Sequence, residues 1–159
     1  MNTEKAELRR CEDDLNVSGT GVIIMGAWSI VRVLIELFLN TKEYLNFEGE
    51  DPESAMAGKI AVIAIIAVIS FVIMKVHLYI GLNAMRAAKG RKHKGGYFVA
   101  AIIVTVLSVL SLFTYVEGFQ NIEKIDTTIA SMLVDITTIY IFLVVIISSV
   151  RIKRIKGEG

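Results

Sequence analysis

Five ionisable residues lie inside long apolar runs of the sequence: Arg32, Glu36, Lys75, His77 and Asp135. A charge near the centre of a bilayer costs about 2.5–3.5 kcal/mol on insertion scales, so each is expected to find a partner, water or the headgroups. Arg32 and Glu36 are four residues apart and share one helix face. Asp135 belongs to a later run but falls at a similar depth. Glu36, Arg32 and Asp135 are therefore expected to form one polar cluster in the outer half of the membrane. The favoured role is an ion-paired tie between the first and last helices; the alternative is a site for an ion, a proton or a substrate.

Lys75 and His77 lie in the inner half. Lys75 continues a face made of Ala57, Ala61, Ala64, Val68 and Phe71, so it is expected to point into the bundle or to snorkel to the inner headgroups. His77 is read as a polar anchor near the interface, with a metal or proton-relay role as the alternative. Trp28 is too deep for an interfacial belt and is read as a packing residue, whereas Tyr44, Tyr97 and Tyr115 suit the two interfaces.

Catalytic chemistry is not evident. Ser70 and His77 are seven apart on one helix, about 10 Å along its axis, too far for a nucleophile and its base. There is no H-E-x-x-H, G-x-S-x-G, P-loop or dinucleotide fingerprint. The single cysteine, Cys11, permits neither an internal disulfide nor a C-x-x-C site. The chain is accordingly read as not an enzyme, with no catalytic residue, cofactor or metal site.

These residues must be positioned by helices. The 159-residue chain is 54% hydrophobic and 21% charged, with a mean hydropathy of +0.61. A soluble domain of this size cannot bury so much apolar surface and still cover itself with polar groups. Spanning a hydrocarbon core of about 30 Å takes roughly 20 apolar residues. Four segments suffice, at about 19–39, 55–85, 97–116 and 129–150. They are rich in Val and Ile but too long for strands and apolar on all sides, so helix is the solution that satisfies the backbone in lipid. The first span is read as retained, because the 1–18 arm is acidic and no signal-peptide cleavage site follows.

Asp51-Pro52 provides an N-cap and N1 pair before the second span, and Asp126-Thr127-Thr128 can start the fourth. Gly90 and Gly95-Gly96 read as stops after the second. Small residues mark packing faces: Ala57, Ala61 and Ala64; Ala101, Thr105 and Ser108; Ser131, Asp135 and Thr138; more weakly Gly26 and Ser29. With short connections the expected architecture is an all-α, up-down-up-down bundle of four transmembrane helices in a single domain.

Lys and Arg are distributed unevenly, twelve on one side of the membrane against three on the other. The positive-inside rule places the 1–18 arm, the 86–96 loop and the 151–159 tail in the cytoplasm, with the acidic loops outside. The expected location is a cell membrane, plasma or inner. Arg86, Lys89, Arg91, Lys92 and Lys94 of the loop, with Arg151, Lys153, Arg154 and Lys156 of the tail, are candidate contacts for anionic lipid. The near-zero net charge of +1 argues against nucleic acid as a partner. The favoured function is a non-enzymatic association or accessory module that binds lipids, itself or a larger membrane complex. The alternative is a small oligomeric transporter or channel using Arg32, Glu36 and Asp135.

Overall fold

The computed structural model describes residues 2–39, 41, 45, 51–115 and 125–157. It holds four helices: α1 (Asn2–Leu39), α2 (Pro52–Ala88), α3 (Gly96–Ser111), continued by a 3-10 turn (Leu112–Thr114), and α4 (Ile125–Lys156). All four contain a stretch long and apolar enough to cross a membrane, and the described residues contain no strand. The chain is an all-α, multi-pass integral membrane protein built as a four-helix bundle. Both described termini and the 89–95 loop lie at one end, called here the terminal end; the opposite end is the far end. Most of the acidic connections, with Tyr44, lie outside the described residues.

Local chemistry sets the helix boundaries. Asp51 caps α2 by accepting the Ser54 backbone N–H at 3.2 Å, and Pro52 takes the first helical position. Hydrogen bonds from the Ser54 side chain and then its backbone hold the exposed Asp51 carboxyl below its ordinary 3.8. After α2 the chain turns through Gly90 at φ +63°, a left-handed conformation that suits glycine. Gly95 and Gly96 do not extend this stop: Gly95 is the N-cap of α3 and Gly96 its first residue. Asp126–Thr128 fall within the first turn of α4 as described, and the side chains of Asp126 and Thr127 lie outside the described residues.

The N-terminal arm is part of the bundle. It is helical from Asn2 and continuous with the first span, so α1 runs for 38 residues. Leu8, Cys11 and Leu15 recur at helical spacing and join a core with Ala84, Ala87, Ala88 and Ile152. Cys11 is buried, and Lys156 at the end of α4 pairs with Glu12 at 3.1 Å. The arm and the tail thus extend the bundle beyond the apolar spans.

Glycine sets the α1–α2 seam, which is the most extensive in the bundle. A Cβ on Gly81 would lie 2.5 Å from the Gly19 carbonyl oxygen, and one on Gly26 would lie 2.5 Å from His77 Cβ. Only glycine lets the backbones approach so closely, which is the packing mode lipid favours. α1 also packs on α4, α4 on α3, and α2 only slightly on α3. Ala101, Thr105 and Thr138 are buried, as their spacing predicts.

The core is concentrated at the terminal end. The buried residues of α2 all lie between His77 and Ala88, and no residue from 52 to 75 is buried. The expected alanine face is therefore corrected. Ala57, Ala61 and Ala64 lie about 140–200° round the helix from buried Ala84 and are exposed. The Gly19–Gly81 and Gly26–His77 contacts fix the rotation of α2 and turn that stripe outward.

Candidate functional site

At the far end three helices meet in one polar cluster. Arg32 comes from α1, Asp135 from α4, and Tyr115 from the residue closing the turn after α3. Arg32 Nη1 donates to both Asp135 carboxylate oxygens, at 3.3 and 3.4 Å. The Tyr115 hydroxyl donates to Asp135 Oδ2. The Arg32 guanidinium carbon stands 5.9 Å from the centre of the Tyr115 ring. Side-chain exposure is 32% for Arg32 and 20% for Asp135, so the pair is set into the bundle without being sealed. In hydrocarbon each charge supplies what the other lacks, and the phenol adds a second donor to the carboxylate.

The sequence predicts Arg32 with Asp135, and the two are together. Helical residue Glu36 has its side chain outside the described residues. Tyr115 was read as an interfacial residue and belongs instead to the cluster. A tyrosine at the end of a span serves either purpose, and its position at the same end as Asp135 was the available signal.

The two inner-half residues part company. Lys75 does not point into the bundle: it is exposed, with its Nζ 5.2 Å from the Phe71 ring centre. His77 is buried, not an interfacial anchor. Gly26 leaves room for its ring, Nδ1 donates to the Ile73 carbonyl at 2.8 Å, and the ring meets Phe142 edge-on at 5.7 Å. Nδ1 is thereby committed as a donor, because a carbonyl oxygen only accepts. Trp28 is 48% exposed and faces outward among Val31, Leu34 and Ile35, so it is not a bundle-packing residue. Among the described residues no group of three or more His, Cys, Asp or Glu is placed to hold a metal ion.

The terminal end carries the other polar assembly. Tyr97 is buried, its hydroxyl 2.9 Å from Ser149 Oγ. Asn83 is buried at the end of α2; its Nδ2 donates to the Tyr79 carbonyl, and its Oδ1 accepts the Lys94 backbone N–H at 3.1 Å. That residue, unremarked in the sequence, pins the 89–95 loop to the bundle. Arg86, Lys89, Arg91, Lys92 and Lys94 are exposed, as are Arg151, Lys153 and Arg154. Lys156 is occupied by Glu12.

No family model, curated protein or solved structure matches the chain. Fold and geometry define its class, a four-helix multi-pass membrane protein with an ion pair between its first and last helices.

Proposed function

We propose that the chain acts by association within the membrane, pairing with a second copy of itself through the outward face of α2, and that it performs no catalysis. The observation that carries this reading is the exposure of Ala57, Ala61 and Ala64 along a stretch of α2 with no buried residue. Other exposed surfaces present bulk to lipid: Leu34, Ile35 and Phe38 on α1, Ile103, Leu107 and Leu110 on α3, Leu133, Leu143 and Ile147 on α4. Small residues four apart, flanked here by exposed Ile60, Ile65 and Val68, let two helices approach closely.

Helix length supports the same reading. The 26 residues between Lys59 and Arg86 cover about 39 Å, against about 30 Å of hydrocarbon, so the helix is long enough to span with some tilt. A helix whose buried residues all lie at one end leaves its far half exposed to a neighbour. In a two-fold dimer the crossing would fall near Ala61. Lys75 is 14 residues away, about 21 Å along each helix, so the like charges would diverge from the crossing point. Arg32 and Asp135 support an association role over transport, because they engage each other and a transport site would need them to separate.

The terminal end is proposed to face the cytoplasm, on the charge asymmetry of the loops. Self-association is tested by oxidative cross-linking in native membranes. With Cys11 replaced by Ala, Ala61→Cys should yield a covalent dimer, while Ile103→Cys on the exposed face of α3 should not. Equal yields from both positions, or none from Ala61→Cys, would remove the proposal.

A further inference from the structure

Five exposed cations of the terminal end, Arg86, Lys89, Arg91, Lys92 and Lys94, fall close together at the α2–α3 connection. The 89–95 loop is held in place by the Asn83–Lys94 contact and by the Arg91 backbone N–H donating to the Arg86 carbonyl at 2.9 Å. Its side chains Arg91, Lys92 and Lys94, with Lys89 and Arg86 at the end of α2, are all exposed. The α4 tail adds to them, because Lys153 Nζ lies 5.5 Å from the ring centre of Phe98, in the first turn of α3. None of these six cations has a carboxylate partner among the described residues. Among the described residues the acids of this end sit on the arm of α1, where Glu12 takes Lys156.

Depth places the patch at the membrane surface. Lys94 precedes by three residues Tyr97, the start of the apolar α3 run, and Arg86 follows the apolar run of α2. Six cations held at headgroup level, without protein counter-charges, match the phosphodiester of an anionic phospholipid. Each cation near such a surface adds attraction that salt screens within about a Debye length.

We infer that Arg86, Lys89, Arg91, Lys92, Lys94 and Lys153 form a binding face for anionic lipid headgroups at the α2–α3 end of the bundle. The face is independent of dimerisation, since it uses the opposite end of α2. Two of the loop's features serve this role beyond fixing topology: a buried side chain anchors the loop, and the tail cation is stacked beside it.

The test uses the purified full-length chain in phosphatidylcholine bilayers doped with spin-labelled phosphatidylglycerol or spin-labelled phosphatidylcholine. The fraction of motionally restricted label reports preference for each headgroup. Wild type should prefer phosphatidylglycerol by at least about threefold, and about 1 M salt should bring the ratio towards one. Arg91→Gln/Lys92→Gln/Lys94→Gln should lose most of the preference, while Lys5→Gln/Arg9→Gln on the arm should keep it. The three loop side chains are exposed, so an unchanged melting temperature should accompany the loss. If the triple variant is less stable, the salt response of wild type decides alone. A wild-type ratio near one, a ratio insensitive to salt, or a preference unchanged in the triple variant would overturn the inference.

Discussion

Arg32 of α1 and Asp135 of α4, separated by 103 residues in the chain, lie 3.3 Å apart and close the bundle at its far end. The pair joins the first helix to the last where the apolar core is thin, since the buried cluster is drawn mainly from the terminal end. Tyr115 extends the tie to the end of α3. α2 has no part in this cluster, and it is the helix whose far half is exposed.

Removing one member of the pair takes from the other its charged contact across the bundle. Arg32→Leu and Asp135→Leu should each destabilise the folded chain by about 2–3 kcal/mol in denaturant or thermal unfolding in mild detergent. The double variant should lose clearly less than the sum of the two. Tyr115→Phe should cost about 1 kcal/mol, the value of a hydrogen bond to a charged acceptor at a partly exposed site. Small, additive effects would show that Arg32 and Asp135 act separately.

The glycine contacts separate sites that look alike in sequence. Gly81→Ala and Gly26→Ala each put a methyl group 2.5 Å from a fixed atom and should destabilise by about 1–3 kcal/mol. Gly21→Ala meets Ile141 side-chain carbons at 3.3 Å and should be milder. Gly95→Ala has nothing within 4 Å and no positive φ, so its melting temperature should match wild type. A Gly81→Ala variant as stable as Gly95→Ala would contradict the close α1–α2 approach.

Cys11 reports on the arm. It is 3% exposed, in the same buried cluster as Ile152 of the α4 tail, so it should react slowly with an aromatic disulfide reagent in the folded protein and rapidly once unfolded. Ile152→Ala opens the same packing and should raise the folded-state rate several-fold. Fast labelling of the wild-type folded chain would mean that the arm is not docked.

Orientation needs a probe other than that buried thiol. In a Cys11→Ala background, Lys92→Cys in the exposed loop should resist an impermeant maleimide in intact cells and react after permeabilisation. Glu53→Cys, exposed at the far end, should react in intact cells. The reverse pattern would put the terminal end outside.

The spans and the Arg32–Asp135 pair were legible because both follow from the cost of polarity in hydrocarbon. That cost demands long apolar runs, and it demands a partner for each charge inside them. Tyr115 was not legible because a tyrosine at a span end satisfies an interface as well as a carboxylate. The face of α2 was misread for a related reason. Small residues favour helix contact without saying whose helix, so Ala57, Ala61 and Ala64 fit packing inside the chain as well as packing outside it. What decides is the rotation set by Gly19, Gly26 and Gly81, three glycines whose partners only the folded chain reveals. The docking of the arm lies in Leu8, Cys11 and Leu15, whose helical spacing the reading of the arm by its charges did not use.

The association proposal is tested most directly by the mass of the protein extracted from its native membrane. In mild detergent, with the detergent contribution subtracted by light scattering, wild type should show about twice the 17.6 kDa of one chain. Ala57→Ile/Ala61→Ile/Ala64→Ile fills the outward face of α2 with bulk while touching no buried residue, so it should fold, melt like wild type and show the mass of one chain. A wild-type mass of 17.6 kDa, or a triple variant as large as wild type, would contradict the account.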